Sequence, residues 1–203
     1  MVSVKLIVIA VIAYLLGSLN FSVIISKAKL NDDVRNHGSG NAGLTNAYRI
    51  MGGKLALLVL FGDFIKGIAA VVAGGLIFGY EGKLVAGVMV LIGHMFPLYF
   101  GFKGGKGILT GAAMALIIDW RVFLVLICVF AVTVVITRFV SLSSILATIA
   151  FPVSMFIFHG DILSMFMSVS VAILIIYRHR SNIFRLASGK EPKFNFKRKD
   201  KNA

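Results

Sequence analysis

Long apolar runs separated by short polar segments constrain this chain more than any other feature. The runs lie near residues 4–26, 55–79, 83–102, 107–118, 122–137, 140–158 and 162–177. A helix needs roughly 17–25 apolar residues to cross a bilayer, because each residue adds about 1.5 Å. Only 14% of the residues are charged, against about 25% in an average soluble domain. The pattern predicts an all-α, polytopic integral membrane protein with about seven transmembrane helices in one domain, residues 1–203.

Two of the runs need separate interpretation. Residues 107–118 reach only about 18 Å as a helix, so this segment either starts within "GFKGGKG" or inserts partly, and five or six spans stay open as alternatives. The first run is too long for the apolar core of a cleaved signal peptide, and no A-x-A-like site follows it. We interpret it as a retained first span.

The basic residues lie mostly on one predicted side of the membrane. Loops 27–54, 103–106 and 138–139 and the tail from residue 178 hold 17 of the 21 lysines and arginines. The positive-inside rule makes this side cytoplasmic, which puts the N-terminus outside and the C-terminus, with a basic tail from about residue 193, inside. We interpret the net charge of +13 as orientation bias and attraction to anionic lipid or substrate, with no nucleic-acid partner.

The first motif, "GSGNAGLTNAYRIMGG", occupies residues 38–53. A short helix is predicted over residues 42–51, with Ser39 or Asn41 as its cap and Gly52 as its stop. Asn41, Thr45 and Arg49 are spaced four apart and form a polar stripe. A glycine-rich loop followed by an arginine is typical of an anion site; the alternative is an interfacial helix whose arginine only reaches toward water.

The second motif, "GHMFPLYFGFKGGKG", occupies residues 93–107. Gly104 and Gly105 between Lys103 and Lys106 would let backbone N–H groups approach a phosphate, although the spacing is not that of a P-loop. The alternative is a plain cytoplasmic turn. His94 lies within a span, where a histidine is either a packing residue or a functional one.

The third motif, "YRHRSNIFRLASGKEPK", occupies residues 177–193. Its cations crowd the end of the last span, where positive charge is favourable for any helix. Glu191 is expected to pair with one of the arginines and fold the tail back.

Within the second run, Asp63 and Lys66 are predicted to form a structural ion pair. The sequence shows no aspartate cluster of the D-D-x-x-D type, no metal-binding Cys/His spacing, no G-x-S-x-G elbow and no H-x-x-x-x-D signature. Three basic, glycine-bearing clusters without a metal site or nucleophile predict binding of phosphorylated anions, with no metal and no cofactor.

These motifs, with "DFIKG", resemble in order and spacing the bacterial acyl-phosphate:glycerol-3-phosphate acyltransferase family (PlsY) over essentially the whole chain. Leu44 departs from the alanine usual in the family. The resemblance implies an inner-membrane enzyme with its active site at the cytoplasmic face. It would transfer a fatty acyl group from acyl phosphate to the 1-hydroxyl of glycerol 3-phosphate, giving lysophosphatidic acid and phosphate in the first step of phospholipid synthesis.

The resemblance also implies residue roles. The catalytic candidates are Ser39, Arg49, Lys106, His179 and Asn182; the substrate-binding candidates are Gly40, Asn41, Thr45, Asn46, Lys103, Gly104 and Gly105; the structural candidates are Asp63, Lys66 and Glu191. The first motif would bind phosphate and carbonyl groups, the second the phosphate of glycerol 3-phosphate, and the third would position the acceptor or the leaving phosphate.

Acyl phosphate is an activated mixed anhydride, so this chemistry needs no enzyme nucleophile, and the base is either a substrate phosphate or His179. Two other functions stay open: a transporter of organic phosphate, although we find no inverted repeat, and a non-catalytic membrane partner of lipid-synthesis enzymes. The sequence leaves acyl-chain preference and oligomeric state open, with a monomer as one reading.

Overall fold

The structure, a computed structural model, describes residues 4–194 and holds only α-helices and short 3-10 turns in that range. The helices are α1 (Val4–Ser18), α2 (Phe21–Leu30), α3 (Leu44–Met95), α4 (Ile108–Ile118), α5 (Trp120–Thr137), α6 (Val140–Phe158), α7 (Ile162–Arg178) and α8 (Arg180–Ala187), with 3-10 turns at Val34–Asn36 and Leu98–Phe100. The all-α prediction is confirmed. The described residues form two compact units divided between Trp120 and Arg121. Most of the predicted basic tail lies outside the described residues.

Four helical stretches in the described part of the chain are long and apolar enough to cross a membrane. They are Val4–Leu30, Leu44–Phe100, Trp120–Thr137 and Val140–Phe158. A fifth is α7 together with α8, which are bent by 59° at their junction. α4 is shorter, as its sequence predicts. Seven spans and the predicted orientation remain predictions.

The first span is broken between α1 and α2, where the sequence predicts a continuous helix. Asn20 caps α2 by accepting a hydrogen bond from the Val23 N–H at 3.2 Å. The ammonium of Lys66 donates to the carbonyls of Gly17 at 3.0 Å and Leu19 at 2.6 Å. Carbonyls left over at a helix end must find donors where water is scarce, so this buried lysine stabilises the break.

α3 is interrupted at two places. Gly52 has φ 77° and ψ 176°, and Gly79 has φ 60° and ψ −144°. Positive φ is accessible to glycine because it has no Cβ. The interruptions divide α3 into a short first segment (residues 44–51), a first limb (53–77) and a second limb (80–95). The predicted stop at Gly52 is confirmed.

The two limbs of α3 fold against each other as a helical hairpin. A Cβ on Gly74 would overlap the carbonyl of Gly82 and lie 2.7 Å from the Ala86 Cβ, so the two backbones touch across the turn at residues 78–79. α4 packs on the same hairpin, since a Cβ on Gly67 would lie 2.8 Å from that of Ala113. Small residues permit such close helix approach in membrane proteins.

In the second unit, α6 and α7 pack together and α8 contacts both. Val122 is the buried residue of α5, so this helix presents an almost wholly apolar, exposed surface. Four hydroxyls of α6 donate to carbonyls of their own helix four residues earlier: Ser143 to Phe139, Ser144 to Val140, Thr148 to Ser144 and Ser154 to Ala150. Polar side chains of this kind fit a membrane helix without an external partner.

Candidate functional site

The loop of the first motif is held by a side chain from the helix that follows it. Asn46 is 1% exposed. Its carbonyl accepts from the Ser39 N–H at 2.9 Å, and its amide donates to the carbonyls of Val34 and His37, each at 3.0 Å. The amide is thus engaged in shaping the loop, and the predicted substrate-binding role of Asn46 stays a prediction.

The predicted cap by Ser39 or Asn41 is wrong. α3 begins after Gly43, which supplies no side-chain cap. Gly38 and Gly40 both have positive φ, 61° and 68°, and they turn the chain so that the Ser39 N–H meets Asn46 instead. A side chain of the helix thus accepts a hydrogen bond from the loop, whereas in an ordinary N-cap the residue before the helix accepts one from a helical N–H.

The candidate side chains of this motif differ in exposure. Ser39, Gly40 and Arg49 are exposed, while Asn41 and Thr45 are half-buried. Arg49 lines a surface pocket of about 200 Å³ together with Ser26, Leu30, Asp32, Asp33, Val34, His37 and Ile50. The exposed guanidinium is a charged donor for an anionic ligand, and the carboxylates of Asp32 and Asp33 share the same lining.

Arg35 joins the first motif to the second, and the sequence analysis did not single it out. It donates to the carbonyls of Phe100 at 2.7 Å and Lys103 at 2.8 Å, and pairs with Asp33 at 2.7 Å. The hydrogen bond from Arg35 holds the pKa of the Asp33 carboxyl below its usual range, and the same bond raises the pKa of Arg35. Because the carbonyls lie 65 and 68 residues further along the chain, no local pattern could reveal them.

The glycines of the second motif have a packing role in addition to the binding role that the sequence predicts. The N–H groups of Gly104 and Gly105 donate to the carbonyls of Met95 at 3.2 Å and His94 at 3.1 Å. A Cβ on Gly104 would overlap the His94 carbonyl. Glycine is needed here because the loop packs against the end of α3, and the predicted substrate-binding role of Gly104 and Gly105 stays a prediction. Lys103 is exposed and Lys106 half-buried, and both remain binding candidates.

The third motif lies in the second unit and folds on itself. His179 is 2% exposed, and its Nδ1 lies 2.8 Å from the Ile175 carbonyl. A carbonyl can only accept, so Nδ1 carries the proton and, in the neutral ring, Nε2 is the basic nitrogen. This tautomer is suited to accept a proton from a hydroxyl.

Glu191 returns to α8, as the sequence predicts. Its carboxylate accepts from the Asn182 amide and from Arg185 Nε, each at 2.7 Å. Burial by itself would raise the pKa of this carboxyl, but the polar groups of Ser141, Asn182 and Arg185 lower it on balance. The tail beyond it continues to Phe194, whose N–H donates to the Arg138 carbonyl at 2.7 Å.

Asp63 and Lys66 form the predicted ion pair, with Oδ1 and Nζ 2.7 Å apart and both side chains buried. Among residues 4–194, no group of three or more His, Cys, Asp or Glu side chains is placed to hold a metal ion. The side chains that the described part of the chain presents in and beside the motifs are cations, hydroxyls, amides, carboxylates and imidazoles.

Long apolar helices joined by basic polar loops define a multi-pass membrane protein. Residues 7–189 match the profile of the glycerol-3-phosphate acyltransferase family. Two relatives named glycerol-3-phosphate acyltransferase are those of Thermoanaerobacter sp. strain X514, 39% identical with 93% of this chain and 95% of the relative covered, and Aquifex aeolicus, 40% identical with 94% and 100% covered.

Two solved structures are also similar. Both are of PlsY, an integral membrane glycerol 3-phosphate acyltransferase. Its glycerol 3-phosphate form is 39% identical, with a TM-score of 0.89 over 94% of this chain and 96% of that one. Its lysophosphatidic acid form is 38% identical, with a TM-score of 0.86 over 94% and 95%. This chain belongs to the glycerol-3-phosphate acyltransferase family, which confirms the resemblance.

Proposed function

We propose that this protein transfers a fatty acyl group from acyl phosphate to the 1-hydroxyl of glycerol 3-phosphate, giving lysophosphatidic acid and inorganic phosphate. What supports the proposal is family membership across residues 7–189, together with the substrate and product forms named for the two structural neighbours. The proposal places the enzyme in the bacterial inner membrane with its active site at the cytoplasmic face.

The reaction requires alignment and charge stabilisation more than a reactive side chain. The hydroxyl oxygen attacks the acyl carbonyl carbon, a new ester bond forms, and the bond to the phosphate oxygen breaks with its electron pair leaving on phosphate. Both substrates are anionic, so cations have to offset their repulsion and the charge that develops on the carbonyl oxygen. No covalent enzyme intermediate is needed.

In this proposal the exposed Ser39 and Arg49 bind the phosphate and carbonyl of the donor, with Thr45 beside them. Lys106 binds the phosphate of glycerol 3-phosphate. Arg35 supports this assignment indirectly, since its bonds to the carbonyls of Phe100 and Lys103 bring the two motifs of the first unit together.

The hydroxyl proton passes to a phosphate oxygen or to Nε2 of His179. The hydrogen bond from Nδ1 to the Ile175 carbonyl supports the second route, because it leaves Nε2 basic. Asn182, on α8, would orient the acceptor or the departing phosphate. Its amide donates a hydrogen bond to Glu191, which fixes the position of the side chain.

A donor-swap assay tests the proposal. Purified protein in lipid should release phosphate from palmitoyl phosphate only when glycerol 3-phosphate is present. Arg49→Ala is the impaired control: turnover should fall by about 100-fold or more, as for loss of one charge-stabilising donor, while the melting temperature holds because this side chain is exposed.

Turnover of palmitoyl-CoA without turnover of palmitoyl phosphate would overturn the assigned donor. Uptake of glycerol 3-phosphate into vesicles without any release of phosphate would favour a transporter instead.

A further inference from the structure

Three ionisable side chains meet in the helical interior of the first unit. Asp63, Lys66 and His94 are 0%, 4% and 4% exposed. Lys66 Nζ lies 2.7 Å from Asp63 Oδ1 and 3.0 Å from His94 Nδ1, and His94 Nδ1 lies 3.5 Å from Asp63 Oδ1. Capping the end of α1 accounts for the lysine, and neutralising the lysine accounts for the aspartate. Neither accounts for a histidine on the second limb of α3.

The network fixes how the His94 ring is turned. Its Nδ1 faces the Lys66 ammonium and the Asp63 carboxylate. The opposite edge of the ring, Nε2 and Cε1, faces Gly105: a Cβ built there would overlap Nε2 and lie 3.0 Å from Cε1. The ring thus packs directly against the second-motif loop at Gly105.

Gly105 also touches the first motif. The same Cβ would lie 2.8 Å from the carbonyl oxygen of Ala42, and that carbonyl accepts a hydrogen bond from the Asn20 amide at 3.2 Å. Gly105 is therefore enclosed between the His94 ring and the first-motif loop. Any change in the ring shifts the residue next to Lys106.

We propose that His94, oriented by Lys66 and Asp63, is a positioning residue that sets the placement of the loop at residues 104–106 against the first motif at Ala42. The kinetic consequence rests on the proposed function, since it concerns how Lys106 meets glycerol 3-phosphate. His94 itself touches no substrate in this proposal; it acts through Gly105.

His94→Asn tests the two edges of the ring separately. The asparagine oxygen replaces Nδ1 and keeps an acceptor for Lys66, whereas the edge beneath Gly105 is lost. We expect the KM for glycerol 3-phosphate to rise about tenfold, with kcat within about threefold, because misplacement of a binding group weakens substrate binding. An unchanged KM would overturn the proposal.

A double-variant cycle tests whether ring and glycine act on each other. Gly105→Ala alone should raise the KM at least tenfold, since its methyl overlaps Nε2. In the double variant with His94→Asn, the methyl no longer overlaps Nε2. The KM of the double variant for glycerol 3-phosphate should therefore be lower than the product of the two single increases predicts. Multiplicative effects would contradict direct contact between them.

Val90→Ala is the matched control for loss of packing. Val90 is on the same limb of α3 and fully buried, but it lies away from the second-motif loop in the core cluster with Ile9 and Ala13. The melting temperature should fall while the KM stays within about twofold of the parent. A tenfold rise in KM here would show that general destabilisation is sufficient, and would refute a specific role for His94.

A readout without turnover separates this proposal from the proposed function. In a Cys128→Ser background, the thiol introduced by Lys106→Cys is half-buried, so its alkylation rate reports the position of the loop. His94→Asn should change that rate severalfold and Val90→Ala should not. If the parent protein lacked acyltransferase activity, the proposed function would fail while this comparison still decided the role of His94; equal rates would overturn it.

Discussion

Single side chains with long-range partners hold the first unit's polar loops in place. Asn46 shapes the loop that precedes it, and Arg35 joins that loop to the second motif. The pairing of Glu191 with Arg185 was predictable, because the two are close in sequence and Glu191 is the acid near a cluster of cations. The contacts of Arg35 were not predictable, since a loop arginine gives no sign of which distant carbonyls it will reach.

Lowering the pH should weaken the contact that Arg35 makes between the first-motif loop and the second motif, because acid protonates Asp33, the ion-pair partner of Arg35. The pKa of this carboxyl is lowered in the folded protein, first by the hydrogen bond from Arg35. Its stabilisation is therefore fully present above its unfolded pKa of about 3.9 and is lost as pH falls through the lower folded pKa. The melting temperature should drop as the pH falls below about 4. Asp33→Asn should melt lower than the parent at pH 7, and its melting temperature should depend less on pH in acid.

Asp32→Asn is the comparison for that measurement. Asp32 pairs with His37 on the fully exposed side of the same loop, where water screens the interaction. Its effect at pH 7 should be the smaller of the two. If the melting temperature fell equally with pH in the parent and in Asp33→Asn, the assignment of this effect to Asp33 would be contradicted.

At the scale of elements, the sequence predicted where the apolar helices lie and the break near Gly79, but not the break between α1 and α2. The end of the short first segment of α3 was visible in the pair Gly52–Gly53. The break between α1 and α2 was hidden because apolar residues continue through it, and its stabilising donor, Lys66, belongs to another helix. The packing of Gly104 and Gly105 against the end of α3 was hidden for a similar reason, because a glycine pair shows that something approaches closely, not what it is.

Gly74→Leu should destabilise the hairpin of α3. The new side chain would have to displace the Gly82 carbonyl and the Ala86 methyl, and overpacking of this kind typically costs about 1–3 kcal/mol. Thermal unfolding in detergent would show it as a lower melting temperature than the parent's.

Its neighbour provides the control. A Cβ on Gly75 would meet side-chain atoms of Lys83 and no backbone atom, so Gly75→Ala should have a smaller effect. Equal destabilisation by the two substitutions would contradict a specific role for the close approach at Gly74, since helix propensity favours both alanine and leucine over glycine.

For the whole molecule, the basic composition and its distribution predict how the chain is oriented. The lysines and arginines concentrate in alternate loops and in the tail, which is the distribution that retains loops in the cytoplasm. Charge counts do not determine how many times the chain crosses, because α4 is short and α7 is bent against α8.

Labelling of single cysteines in intact cells tests the orientation. In a Cys128→Ser background, a membrane-impermeant thiol reagent should label Glu81→Cys, in a predicted outer loop, and leave Lys190→Cys unlabelled until the cells are opened. Both native side chains are exposed, so access and not burial decides the result. The reverse pattern would invert the assigned topology and move the candidate site to the other face.

The lysine that caps the end of α1 has a consequence for how the chain is made. Inserting a charged side chain at mid-bilayer costs about 2.5–3.5 kcal/mol. The carbonyls of Gly17 and Leu19 leave the ribosome well before Lys66, and Asp63 emerges just ahead of it. Because synthesis starts at the N-terminus, the hydrogen-bond acceptors are made before the Lys66 ammonium that donates to them. We therefore expect the lysine to insert after the groups that compensate its charge.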